Sequence, residues 1–535
     1  MTRCNQGMRL PMRAMALGLL CLFVVGEAHA DMVLRRGTAS EPETLDPHKE
    51  LAQSAAPILT DMYIGLMTLD GAGKVIYGAA ESHRMSDDGL TYTFTLRPDL
   101  KWSDGTELTA ADFVYALRRL MAPETAARYA TFFFPVVNGR AVNTGQMAPE
   151  ALGIAAPDSR TVEFRLEQPT PFFLQILVSN PASPVPRHVI EAEGDAWVTP
   201  GVMVSNGPYQ LAERVPQTFV RLTKNPHFYD AANVAIDEVT YYPTQDLNTS
   251  LKLFRSGELD VVLNFPPSQL DWIRENMADA LHIEPVLGTW FLLVNNAKPP
   301  FTDVRVRKAL SIAIERTIIT DQLLRTGMTA AESFVPPMIT DYGGVAIDDF
   351  APDIATRQAE ARALLAEAGF GPDNPLTVEL KYDTLEESER IMVAIAAMWK
   401  AIGVESEILN TDFRALTSAT NTGDFEVMRF AYFSPYDDPN AFMRLLETDN
   451  PNNRTRYSNP ELDRLMAQSD KTLDPAQRFE LIREAERVAL KDHAVIPIYF
   501  YAARRLISPQ IEGWVDNVRN VNPTRFLRID RDGAS

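Results

Sequence analysis

The sequence predicts an α/β protein built from more than one domain, on three observations. Strand-like and helix-like segments interleave along the whole chain. The helix starts carry capping residues, and the chain exceeds what one hydrophobic core can organise. The 535 residues are 46% hydrophobic, enough to fill two or three cores. Sheets covered by helices on both sides are expected to be largely buried.

The elements follow in order. Asp88-Gly89 marks a turn, and Thr91 to Leu96 alternates polar and apolar residues, the period of a half-buried strand. Asp104-Gly105 is a second turn. Thr109-Ala-Ala-Asp112 then opens a helix as a capping box, with Phe113, Leu117 and Leu120 on one side. Thr302 and Asp303 open another helix, expected to carry Val306, Leu310, Ile314 and Ile318. A third runs from about Thr356 to a stop at Gly369. Asp474-Pro475 places a cap before a proline at the first helical position, and Phe479, Ile482 and Ala489 are the expected buried face. Between them Val239–Tyr242, Phe291–Val294, Thr377–Leu380 and Val495–Phe500 read as short strands. There is no internal repeat and no low-complexity segment.

The first thirty residues read as a secretory signal. Arg3, Arg9 and Arg13 precede an apolar run from Ala14 to Gly26, and Ala28-His29-Ala30 has the form of a cleavage site. The bulky Leu20 before Cys21 argues against a lipid anchor. Cleavage would remove both cysteines, Cys4 and Cys21, so the mature chain has no disulfide and no thiolate metal site. The formal charge of -20 becomes -22 without the signal, whose Arg3, Arg9, Arg13 and Glu27 sum to +2. Such an acidic chain repels nucleic acid and anionic membrane surfaces, so neither is an expected partner.

Catalytic patterns are sparse. There is no His-x-x-x-His pair and no Gly-x-Ser-x-Gly elbow. Gly71-Ala-Gly-Lys74 has neither the spacing of a phosphate-binding loop nor its Ser or Thr, and reads as a hairpin turn. Asp87-Asp88 sits in a turn. Asp437-Asp438 leaves acid–base, cation-binding and structural roles open. No cofactor and no metal is expected.

A set of motifs goes further. Ser40-Glu-Pro-Glu-Thr-Leu-Asp-Pro-His48, Ser86-Asp-Asp-Gly-Leu-Thr-Tyr-Thr-Phe94 and Lys101-Trp-Ser-Asp-Gly-Thr106 come first. Asn206-Gly-Pro-Tyr209, Gly257-Glu-Leu-Asp260, the stretch from Pro300 to Leu310 and Ile496-Pro-Ile-Tyr499 follow in order. Together they resemble the oligopeptide/dipeptide solute-binding proteins of ABC transporters, family 5 of the bacterial extracellular solute-binding proteins, from about residue 33 to 515. The resemblance implies a clamshell of the type II periplasmic-binding-protein kind, with two lobes and an extra domain. Domain I would comprise residues 31–64, 187–290 and 500–535, domain II 65–186 and domain III 291–499. It also implies a non-catalytic, monomeric receptor in the periplasm, one that passes peptides to permease subunits in the inner membrane.

By the same resemblance, a peptide would add as a strand between two edges. One edge is the segment Leu51 to Gln53, the other Ala431, Tyr432 and Phe433. Tyr129 and Phe413 match pocket aromatics, and Arg429 matches an arginine that can fork onto a ligand carboxylate. Relatives often carry tryptophan where Phe413 and Tyr432 stand, and a cysteine where Phe433 stands. The family's acid for the peptide α-amino group is replaced by Pro435, which leaves Asp437, Asp438 or another nearby acid to substitute, or a ligand without a free amine there. Other cargoes of the same fold remain alternatives: a cell-wall or modified peptide, an opine, a nickel chelate, haem or a sugar. A periplasmic hydrolase is the alternative from another class, and the chain offers it no nucleophile–base motif.

Overall fold

Two strands organise the molecule. The computed structural model describes residues 32–50, 53–346, 348–350 and 353–530, so the expected signal segment lies outside the described residues. Leu281–Val294 and Val495–Ile507 pair antiparallel from Leu281 opposite Leu506 to Leu293 opposite Val495. They are the centre of an eleven-stranded sheet. On one side of them lie Val261–Val262, Val33–Thr38, Glu238–Pro243, Phe219–Lys224 and Tyr209–Val215. On the other lie Val427–Phe433, Leu376–Asp383 and Val404–Thr411. Thr329–Ala330 pairs with Val495–Ile507 off this path.

The two central strands shift register between Pro285 and Thr289. An irregularity of this kind bends a strand and increases its twist. It divides the pair into a half that serves the first group of strands and a half that serves the second. Gly288 sits in the shift opposite Phe433, and a side chain there would meet the Phe433 ring, since a Cβ would lie 2.7 Å from it. The glycine leaves that volume to the phenylalanine.

A four-stranded antiparallel sheet stands apart, in the order Ala80–Met85, Thr91–Leu96, Thr161–Arg165 and Ile154–Asp158. It lies wholly within residues 65–186. Thr91–Leu96 is the strand that the alternation predicted, with Tyr92, Phe94 and Leu96 buried. The Gly71–Lys74 segment is the expected turn, between strands Met67–Leu69 and Val75–Tyr77. Asp70 Oδ1 accepts from the N–H of Ala72 and of Lys74, both at 2.9 Å.

Local signals place the helices well. Thr109 and Asp112 form a capping box before Ala110–Met121. Asp353 caps Ile354–Glu367, and Asp474 caps Pro475–Lys491. The helix from Asp303 is shorter than the periodicity predicted. It spans Val304–Ile312, and Ile318 instead opens a separate π-helical turn, Ile318–Leu324. Arg316 explains the break. Its buried guanidinium turns back onto the carbonyls of Ser311 and Ile314, which a longer helix would have bonded itself, and reaches the Pro497 carbonyl of the central strand.

Three hydrophobic clusters hold these elements. One gathers Trp290, Leu292, Leu310, Val378 and Trp399 beneath the second group of strands, where Trp399 Nε1 donates to the Leu310 carbonyl at 2.9 Å. The largest joins Phe94, Trp102, Phe133 and Tyr209 to Phe291, Phe334 and Phe442. A small one lies around Phe254 and Phe265. The described residues, which begin at Met32, form one compact unit.

Candidate functional site

Between the strands Leu281–Val294 and Val427–Phe433 and the segments around residues 47–59, 128–132 and 179–181, a cavity of about 640 Å³ opens. Its walls are aromatic. Along Val427–Phe433, Phe430 and Tyr432 face the cavity while Arg429 and Ala431 turn away, and Phe433 at the end of the strand also lines it. Phe291 comes from the neighbouring central strand, its ring 5.5 Å from Phe430, and Phe334 stands edge-on to Phe291 at 5.0 Å. The opposite wall is the turn Arg128–Phe133, which contributes Tyr129 and Phe132 with ring centroids 5.3 Å apart.

The strand Val427–Phe433 has one covered edge and one open one. Leu281–Val294 pairs with all seven of its residues, from Val427 opposite Val294 to Phe433 opposite Gly288. Leu376–Asp383 pairs with the other edge only at Val427 and Met428. From Arg429 to Phe433 that edge is unpaired among the described residues. Backbone N–H and C=O groups on such an edge seek partners, and an extended ligand supplies them.

Charged groups lie at the cavity margin. Glu50, Arg128 and Arg454 are among the lining residues. Glu50 accepts from the backbone of Thr44 at 2.9 Å. Arg454 is half-buried, and burial, followed by the charge of Arg456, lowers its pKa. Burial raises the pKa of the Tyr129 hydroxyl and of the Tyr432 hydroxyl. Neither phenol ionises near neutral pH, so both act as hydrogen-bonding aromatic walls. Among the described residues no group of three His, Cys, Asp or Glu is placed to hold a metal ion. No described helix is long and apolar enough to cross a membrane.

The structure brings together some of the residues expected from sequence and separates others. Tyr129, Tyr432 and Phe433 line the cavity, as does Pro435. Ala431 is on the same strand but turns toward the Trp290 cluster. Residues 51–52 and the Gln53 side chain lie outside the described residues, so the first expected edge is not described. Phe413 departs from the expectation. It is the first residue of the helix Phe413–Thr422, is 68% exposed and is absent from the cavity wall. Arg429 also points elsewhere, pairing with Asp383 at 3.2 Å across the neighbouring strand.

The paired acids are tied down as well. Asp437 accepts from the Thr340 backbone at 3.1 Å and from its hydroxyl at 2.6 Å. Asp438 is buried, accepts both terminal nitrogens of Arg478 at 2.7 and 2.8 Å, and takes the N–H of Asn440 at 2.9 Å. Phe132, Phe291, Phe334 and Phe430 were missed. Phe291 lies in a strand the sequence predicts, but which face it presents depends on the partner strand.

A sheet carried through two shared strands, with an aromatic cleft beside them, defines a solute-binding protein of the type II periplasmic class. Solved structures agree. The murein tripeptide binding protein of Escherichia coli superposes with a TM-score of 0.81 at 31% identity, covering 93% of this chain and 98% of that one. An oligopeptide-binding protein of Haemophilus influenzae, solved in complex with the peptide RPPGFSPFR, superposes at 0.77 and 30% identity, covering 94% and 99%. In sequence, the periplasmic oligopeptide-binding protein of Salmonella typhimurium is 36% identical over 485 residues, 90% of this chain and 89% of its own. Residues 74–454 match the family model described as bacterial extracellular solute-binding proteins, family 5 middle. The chain belongs to that family.

Proposed function

We propose that the protein captures peptides in the periplasm, holds them in the aromatic cleft and delivers them to the permease of an ABC importer. The observation that carries this reading is the open edge from Arg429 to Phe433, on a strand whose Tyr432 and Phe430 form the cavity wall. An edge supplies affinity through the ligand's main chain, which is independent of side-chain identity. Aromatic walls supply apolar contact area with little specificity. The names of the relatives favour the same cargo: one is an oligopeptide-binding protein, one binds a murein tripeptide, and one was solved with a nonapeptide. The role needs no catalytic group, and closure of the lobes over the ligand would couple capture to delivery. The division into domains at residues 65, 187, 291 and 500, and a monomeric state, belong to this reading.

Calorimetric titration with tri-, tetra- and pentapeptides tests it, together with mass spectrometry of whatever the purified protein carries. Saturable binding of at least one length class is expected. Absence of binding to every peptide, with a non-peptide compound co-purifying, would replace the cargo while leaving the fold class untouched.

A further inference from the structure

Beside the aromatic cavity lies a second chamber of about 270 Å³. A smaller pocket of about 140 Å³ adjoins it. The chamber and the main cavity share Ala56, Phe433 and Ser434, so the turn after Phe433 is the partition between them. Three arginines line the chamber: Arg36 from the first strand of the chain, Arg505 from the second central strand, and Arg519 from the segment after it. No Asp or Glu is among the residues lining either the chamber or the smaller pocket.

Neutral groups hold these cations. Arg36 Nη1 donates to the Asn522 carbonyl at 3.2 Å and to Thr524 Oγ1 at 2.8 Å. Arg505 Nη1 donates to Asn522 Oδ1 at 3.3 Å. Both guanidiniums lie against the Trp514 ring, at 5.8 and 5.4 Å from its centroid. That packing accounts for Arg36 and Arg505. It does not account for Arg519, whose Nε is buried with no acceptor. The acids nearby are occupied. Asp61 accepts from Tyr241 Oη at 2.6 Å and from the Thr524 N–H at 2.9 Å. Asp516 is bound to His282 Nδ1 at 2.7 Å and accepts from Trp514 Nε1 at 3.0 Å. Asp437 is taken by Thr340. Among the described residues none of the three forms an ion pair with Arg36, Arg505 or Arg519. Asp61, Asp516 and Asp437 act on Arg36, Arg505 and Arg519 only through space, without direct ion pairs, and an anion meeting the guanidiniums directly would offset the rest of their burial cost. Burial, with Arg36 adding to it against the pull of Asp516, brings Arg505 down to about 10, so it stays charged at neutral pH.

We propose that this chamber is a carboxylate-binding subsite that receives an anionic group at one end of the ligand in the aromatic cleft. The inference rests on the peptide reading for the rest of the ligand. A planar carboxylate matches the forked donors of guanidinium. The partition supports the sign of the charge. Ser434 and Pro435 carry none, so a ligand ammonium entering the chamber faces three guanidiniums and no lining carboxylate, the nearest cavity acid, Glu50, lying on the other side of the partition, while a carboxylate meets three donors. The cleft therefore favours a ligand whose end here is acidic, either as part of the peptide-like molecule or as a free small acid bound alongside it.

Calorimetry with three forms of one tetrapeptide tests this: free amine, N-acetyl and N-succinyl. Succinate alone is titrated in parallel. The succinyl form is expected to bind about tenfold more tightly than the acetyl form, the gain of one or two charge-assisted hydrogen bonds. The free amine should be weakest. Arg519→Gln should abolish the ratio between succinyl and acetyl forms, and Arg519→Lys should keep much of it, which separates lost charge from lost fold. Succinate binding that depends on Arg519, without a preference among the peptides, assigns the chamber to a free small acid. Should no peptide form bind, the peptide reading fails while the succinate titration still decides the chamber. The proposal is overturned if the free amine binds best, or if neither succinate nor the succinyl preference responds to Arg519→Gln.

Discussion

Asp438 was a candidate ligand residue, yet its geometry gives it a structural duty whose removal has a calculable cost. Its carboxylate grips both terminal nitrogens of Arg478, and the two side chains are only 7% and 2% exposed. Asp438→Asn keeps the shape and removes the charge, leaving a buried guanidinium with its main counter-ion gone. Breaking one partner of a buried pair costs about 3–5 kcal/mol. Asp470 lies close enough to interact with Arg478, so the lower end, about 3 kcal/mol, applies. Unfolding entropy of about 2.1 cal/mol/K per residue, over a unit of roughly 500 residues, amounts to about 1 kcal/mol/K. The melting temperature of the ligand-free protein should then fall by about 3 °C in a calorimetric scan. Peptide affinity measured well below the transition should change less than twofold. An unchanged melting temperature with a large loss of affinity would refute the assignment and return Asp438 to the ligand.

Three other perturbations discriminate as sharply. Burial pushes the Glu486 carboxyl up to about 7, against the hydrogen bonds it accepts from Tyr342 and the backbone of Val335 and Phe334. Its folded pKa exceeds its unfolded value, so the folded state binds the extra proton between about pH 4.5 and 7, and stability falls as pH rises through that window. Denaturant titrations at pH 5 and pH 7.5 should show this decline, and Glu486→Gln should flatten it; a decline of equal size in the variant would reject the assignment. Tyr432→Ala opens the cavity wall and should weaken peptide binding about tenfold. Phe413→Ala, on an exposed helix start outside the cavity, should leave it within twofold, and the reverse order by calorimetry would contradict the cavity described here.

What the sequence made legible was local. Capping residues at Thr109, Asp303 and Asp474 act within one turn, so their helices begin where the pattern says. The end of the helix from Asp303 was not legible. Arg316 takes over the carbonyls of Ser311 and Ile314 and is held there by the Pro497 carbonyl, 181 residues away. The fold class and family followed from motifs spread over the chain. The site was legible in part. Tyr129 and Tyr432 reach the cavity, but Arg429 is claimed by Asp383, a partner that only strand pairing reveals. Phe433 replaces an expected cysteine, and its consequence became visible only with Gly288 opposite it. The arginine chamber is assembled from residues 36, 505 and 519, and no local pattern joins them.

The most direct test of the central claim is small-angle X-ray scattering of the purified protein with and without a peptide that calorimetry has shown to bind. A ligand held between two lobes joined by Leu281–Val294 and Val495–Ile507 should draw them together, and the radius of gyration should fall at saturation. An identical scattering profile at full occupancy would contradict binding in the cleft between the lobes.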